Sequence, residues 1–164
     1  MRGQKELYSL LGELSIPFEY HEHPPLATIS DAIVHWKDYN SGRCKNIFFR
    51  NHKGNRHYLV ILEHLRHLDI HDLEKRLRQG KLTFASDARL MKYLGLEPGS
   101  VSPFGLINDR ENNVHLFIDE KLNEFDRLAF HPNINTATLV ISKADFLKFL
   151  VHTGNSYEFL KLYD

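Results

Sequence analysis

The chain has 164 residues, 42% of them hydrophobic and 12% aromatic, with 21 basic residues set against 21 acidic ones. That length holds one ordinary core and is short for two, the composition excludes a disordered chain, and neutrality excludes a protein that coats nucleic acid without selectivity. A single cysteine, Cys44, excludes an internal disulfide and points to a reducing, cytoplasmic setting.

In the first segment Leu7, Leu10, Leu11 and Leu14 fall at i, i+3, i+4 and i+7. This is one stripe of an amphipathic helix, and the charges mixed into it rule out a signal peptide. No apolar run in the chain approaches the roughly 20 residues that span a bilayer. Pro17 stops the helix and "FEYHEH" follows as a short strand. "HPPLATIS" is a loop, because its two prolines exclude regular pairing, and Ser30 then caps a helix carrying Ile33, Val34 and Trp36. The strands "CKNIFFRN" and "RHYLVILE" are joined by "HKGN", whose Gly54-Asn55 pair supplies the positive φ angles of a tight hairpin. "DIHDLEKRLRQG" reads as a helix from an Asp69 cap to Gly80, and "KLTFA" as a strand. "SDARLMKYLGLEPG" is a helix capped by Ser86 and closed by Gly95. After the loop "PGSVSPFG" comes a second hairpin, "GLIND" to "VHLFID" across "RENN". The strands "RLAFH" and "TATLVI" lead to a last helix from Ser142 to about Val151, ended by Gly154. With no repeat and no linker, residues 1–164 form one domain. Hairpins interrupt the βαβα alternation, so the fold class is α/β on a mixed, largely antiparallel sheet flanked by helices.

The 11 histidines raise the question of a metal. His64, His67 and His71 could share a helical face, but no cysteine or carboxylate set completes a site and Asp69 interrupts the helix, so no metal is expected. His21 and His23, at strand spacing, read as surface histidines. Cys44 reads as a small core residue, and "GSVSPFG" is not a nucleophile elbow, since no helix is expected after it. The glycines of "EPGSVSPFG" permit either a simple turn or a loop whose bare N–H groups cradle an anion or oxyanion. "FHPNINTATL" puts His131 at a strand end before a turn rich in Asn and Thr. On strand alternation Lys45 shares a side with Ile47 and Phe49, and Asn46 with Cys44 and Phe48. Lys45 is then either a lysine snorkelling at a strand edge or the charge at the mouth of a pocket.

Together, "CKNIFFRN", "GLEPGSVSPFGLIND" and "FHPNINTATLVI", with "HPPLAT" near the start, resemble the YbaK/prolyl-tRNA synthetase-associated domain family over nearly the whole chain. Within it the chain is most similar to the freestanding deacylases that resemble the editing domain of bacterial prolyl-tRNA synthetase and remove alanine misattached to proline tRNA. The resemblance implies a metal-free, cofactor-free site. It maps the active-site lysine to Lys45, the adjacent asparagine to Asn46, the glycine-rich loop to Gly99 and Ser100, and the histidine to His131. It also implies a substrate pocket of Thr28, Val101, Ser102, Pro103, Phe104, Asn133 and Asn135. Its partner is tRNA(Pro) carrying alanine, with a transient encounter with prolyl-tRNA synthetase as a further one, and neither membrane nor DNA is involved.

Charge is unevenly spread: residues 43–56 carry +5, residues 74–92 carry +4 and residues 109–126 carry −4. Arg43, Arg50, Lys53, Arg76, Arg78 and Lys81 are therefore the candidates for contact with tRNA. Other readings remain beside this one: a deacylase for Cys-tRNA(Pro) or another small aminoacyl-tRNA, a non-catalytic tRNA- or synthetase-binding module, or a small-ester hydrolase without an RNA substrate.

Overall fold

A computed structural model describes residues 1–25, 41–63 and 67–164, apart from the side chain of Arg43. Thr28, the helix expected after Ser30 and His64 lie outside the described residues. In chain order the elements are α1 (Lys5–Glu13), β1 (Glu19–Glu22), β2 (Gly42–Asn51), β3 (His57–Glu63), α2 (Ile70–Leu77), β4 (Leu82–Phe84), α3 (Asp87–Leu94), a 3-10 helix (Pro103–Asn108), β5 (Val114–Asp119), a second 3-10 helix (Glu120–Glu124), β6 (Arg127–Phe130), β7 (Ala137–Ser142), α4 (Lys143–Thr153) and β8 (Tyr157–Leu160).

The strands run in the order β1-β7-β6-β2-β3-β5-β8, with β4 on the free edge of β2. The pairs β1–β7, β6–β7, β2–β3 and β2–β4 are antiparallel, while β2–β6, β3–β5 and β5–β8 are parallel. Both faces of the central strands are covered. Cys44, Phe48, Leu59 and Ile61 face one core, which takes in Leu7 and Leu11 of α1 and Phe146 and Phe149 of α4. Phe49, Tyr58, Val60 and Leu62 face a second core closed by Leu73 and Leu77 of α2. Burial on both faces explains why β3 reads as an unbroken apolar run rather than an alternating one.

Local chemistry sets most helix ends. Asp69 accepts hydrogen bonds from the N–H groups of His71 and Asp72, Ser86 from that of Arg89, and Ser142 from that of Asp145. Helix α2 ends at Arg78, in the left-handed region, two residues before the expected Gly80. Between β2 and β3 only Gly54 takes a positive φ, and the Asn51 side chain shapes the turn by accepting from the N–H groups of Asn55 and Arg56.

The hairpin expected over residues 105–119 does not form. Ser102 caps a 3-10 helix with Pro103 in its first turn, and this helix takes up "GLIN". Strand β5 pairs in parallel with β3 and with the unforeseen β8. A helix therefore does follow the "GSVSP" loop, although only a short 3-10 one.

One feature of the pairing opens a site. Strand β2 pairs with β6 only at Gly42↔Leu128 and Arg43↔Ala129, and with β4 only from Phe49 to Asn51. Gly42 permits the close approach at the fork, since a Cβ there would lie 2.7 Å from the Phe125 ring. Beyond residue 43 the two parallel strands diverge.

Candidate active site

The fork encloses a cavity of about 20 Å3, room for one water-sized group, lined among the described residues by Cys44, Asn46, Ala129, Phe130, His131 and Thr138. Its polar groups are mostly acceptors. The ring of His131, the residue after β6, donates Nδ1–H to the Ala137 carbonyl at 2.8 Å. Burial, reinforced by the neighbouring His23, holds its pKa below the usual imidazole range, so His131 is neutral with Nε2 as its open acceptor. The Oδ1 of Asn46 is buried and has no hydrogen-bond partner among the described residues. Cys44 is 7% exposed, and burial, then the carboxylates of Glu63 and Asp119, push its thiol far above the ordinary range. It is a neutral wall of the cavity rather than a nucleophile.

Thr138, on β7, is held from a distant part of the chain. His23 follows β1 and is 5% exposed, which corrects its reading as a surface histidine. Its Nδ1 lies 2.9 Å from the Pro24 carbonyl, which can only accept. In the neutral ring Nε2 is then the acceptor, and the Thr138 hydroxyl donates to it at 2.7 Å. The hydroxyl hydrogen is then directed to His23, and the lone pairs of the oxygen are left as acceptors at the cavity. The His23 and His131 rings lie 5.9 Å apart.

The glycine-rich loop sits against the turn after β6. Gly99 has a φ of 87°, and a Cβ there would come 3.5 Å from the Asn135 amide. Ser100 donates its N–H to the Glu97 carbonyl, while the N–H groups of Gly99, Val101 and Ser102 have no acceptor among the described residues. Ser102 and Phe104 are fully buried: the Ser102 hydroxyl accepts from the Phe104 N–H, and the Phe104 ring belongs to the core, with Pro103 buried between them. Asn133, at a φ of 63°, donates its amide to the Gln4 side chain and the Phe104 carbonyl, clasping loop, turn and N-terminus together.

Asn46 and His131 therefore meet at the cavity, while Gly99 meets Asn135 beside it. Lys45 is half-buried opposite Leu62, on the side of β2 that carries Ile47 and Phe49, and is not among the cavity's lining residues. The basic candidates separate too. Arg76 is engaged by Asp72 and Asp164, and Arg50 donates to the carbonyls of Asn51 and His52. Arg78 is exposed at the end of α2, and Lys53 and Lys81 share a surface crevice. Sequence reasoning missed Thr138 and His23. The available signal was Thr138 two residues from Thr136 on an apolar strand, and a histidine fixed by the prolines that follow it.

The model of the aminoacyl-tRNA editing domain matches residues 23–149. The chain belongs to the aminoacyl-tRNA editing domain family. It is an aminoacyl-tRNA deacylase, an enzyme that hydrolyses the ester joining amino acid to tRNA. It is 36% identical over 165 residues to the prolyl-tRNA editing protein ProX of Acetoanaerobium sticklandii, covering 99% of each chain. Against prolyl-tRNA synthetase associated domain-containing protein 1 of Xenopus laevis it is 32% identical over 156 residues, covering 93% of this chain and 92% of the relative. A crystal structure of a candidate trans-editing enzyme for prolyl tRNA synthetase shares the fold, with a TM-score of 0.68 at 19% identity over 98% of this chain and 99% of that one. The five mapped residues Lys45, Asn46, Gly99, Ser100 and His131 all lie inside the matched span. No helix among the described residues is long and apolar enough to cross a membrane.

Proposed function

We propose that this editing domain releases alanine from mischarged Ala-tRNA(Pro) in trans, meeting its tRNA as a freestanding protein and prolyl-tRNA synthetase only transiently. The observation that supports the reading is the small cavity at the fork, which brings the acceptors of Asn46 and His131 to one place with room for a small group. A synthetase pocket built for proline cannot strongly exclude a smaller side chain, because a methylene discriminates by only roughly 1–3 kcal/mol. A second, smaller site separates the two by collision.

In the reaction, water adds to the ester carbonyl and negative charge gathers on the carbonyl oxygen. The C–O bond to the ribose then breaks, and the departing ribose oxygen takes up a proton. The N–H groups of Gly99, Val101 and Ser102 are the donors for the oxyanion. Lys45 holds the terminal phosphate or ribose by charge, and Asn46 and His131 orient the acyl end through their acceptors. The neighbouring ribose hydroxyl activates the water. Gly99, Ser100 and Asn135 shape the loop over the ester, and Thr28 contributes from outside the described residues.

The test is deacylation of Ala-tRNA(Pro), Pro-tRNA(Pro), Cys-tRNA(Pro) and Ala-tRNA(Ala) by the wild type and Lys45→Ala. Loss of alanine from proline tRNA alone, abolished by the substitution, is the expected result. Preferred release of cysteine moves the protein to the cysteine branch, and hydrolysis of none of the four removes the enzymatic reading.

A further inference from the structure

The edge of β2 that carries the fork is taken up further along by β4. Three residues along from Asn46, Phe49 pairs with Phe84 of β4, and the two rings lie 5.0 Å apart. Phe84 is 57% exposed, whereas the other exposed large apolar side chains among the described residues, Met1, Met91 and Val151, are not aromatic. Two residues further, at Asn51, β2 enters its turn and faces the turn between α2 and β4 across a crevice of about 400 Å3. Lys53, Arg56 and Lys81 line it together with His52, and no carboxylate is among its described lining. Its floor is preset: the Tyr58 hydroxyl donates to the Gln79 side chain, which donates in turn to the Leu77 carbonyl. At about 3.4 Å per residue, Phe84 is about 10 Å from Asn46 along the strand, and the crevice begins about 17 Å away.

We propose that this edge is a track for the 3′ end of the RNA substrate, with a base of its single strand stacked on Phe84 and backbone phosphate held in the crevice by Lys53, Arg56 and Lys81. The chemistry at each point selects that occupant. An exposed ring on a strand edge, supported from behind by a second ring, is a platform for a nucleobase. A crevice lined by cations without acids is a seat for phosphate. The track also ranks the basic residues. Arg76 and Arg50 are already engaged within the protein, whereas Lys53, Arg56 and Lys81, with no carboxylate partner among the described residues, line one crevice. The inference rests on the editing reading for the direction of the strand, ester at the fork and stem at the turn.

The experiment uses the full chain and an uncharged, fluorescently labelled acceptor-stem RNA hairpin, with and without its single-stranded 3′ end. Anisotropy is followed through a salt series for the wild type, Phe84→Leu, and the triple variant Lys53→Ala/Arg56→Ala/Lys81→Ala. The expected result is at least tenfold weaker binding by the triple variant, with its log–log salt slope reduced by about 2–3. Phe84→Leu, which keeps the apolar contact with Phe49, is expected to bind at least fivefold more weakly, and only when the single strand is present. Binding like the wild type by both variants, or an unchanged salt slope, overturns the track. A second arm measures hydrolysis of alanyl-adenosine, which has no upstream phosphate, and the triple variant should match the wild type there. If the wild type hydrolyses neither this ester nor Ala-tRNA(Pro), the deacylase reading falls, while the binding arm still decides the track.

Discussion

The two ends of β2 handle polarity in opposite ways. At the fork, polar groups are few, buried and individually held: Thr138 by His23, His131 by the Ala137 carbonyl, Asn46 with an acceptor still open. At the hairpin turn, cations are numerous and exposed, and the ones in the crevice are matched by no acid in its described lining. A buried, fixed acceptor discriminates between ligands, because a wrong partner leaves it unsatisfied. Exposed charge gives affinity that salt screens and that any RNA backbone supplies. In the proposed reading, one ten-residue strand separates selection of the acyl group from retention of the RNA. That separation suits a neutral protein that visits its substrate briefly.

The largest effect is expected at Lys45. Its replacement by alanine should lower kcat/KM on Ala-tRNA(Pro) by about 100-fold or more, loss of a charge contact in the reacting complex being worth that much. Urea unfolding of the same variant should stay within about 1 kcal/mol of the wild type.

A second effect belongs to the frame that holds the two ends apart. His57, at the start of β3, is 2% exposed, its ring centroid 3.9 Å from that of Tyr93 at a tilt of 35°, and it accepts a hydrogen bond from Arg89. Burial, then the charge of Arg89, lowers its pKa to about 4. The folded state therefore favours neutral His57, and below pH 6.5 the unfolded chain takes up the proton first. Stability is fully present above about pH 6.5 and is lost as pH falls toward 4, by up to about 3 kcal/mol. Urea titrations at pH 7 and pH 4.5 check this, and His57→Phe should flatten the difference.

Thr138→Val sharpens the comparison at the fork. It preserves shape but removes the hydroxyl that bonds to Nε2 of His23, which should cost about 1–3 kcal/mol of stability. Deacylation should fall at the same time, about tenfold, with little change in the salt dependence of RNA binding. Gly42→Ala should cost about 1–3 kcal/mol, because its Cβ meets the Phe125 ring at the point where β2 and β6 join.

How much of this is legible in the sequence follows from the range of each interaction. Helices α3 and α4 are announced by the capping residues Ser86 and Ser142 and the closing glycines Gly95 and Gly154, all within a turn of the segment they bound. The "GLIN" segment deceives because its adjacent apolar residues Leu106 and Ile107 read as a short strand, while the helix signal lies just before it in Ser102 and Pro103. Strand β8 is four residues long and exists by pairing with β5, about 40 residues earlier, so no local pattern declares it. The same holds for the site. Lys45, Asn46, the glycine-rich loop and His131 stand out through family resemblance. The fork, which brings Asn46 and His131 to one cavity, is a matter of register between distant strands. His23 is tied into the fold by Thr138, 115 residues away.

The account is tested most directly by locating the acyl group. An acceptor-stem hairpin carrying alanine through a stable amide in place of the ester can be bound to the protein, and nuclear Overhauser contacts from the alanine methyl recorded. Contacts to the methyl groups of Ala129 and Thr138, with none to Phe84, are the predicted result. Contacts to Phe84 without any to Ala129 or Thr138 would contradict the assignment of acyl selection to the fork.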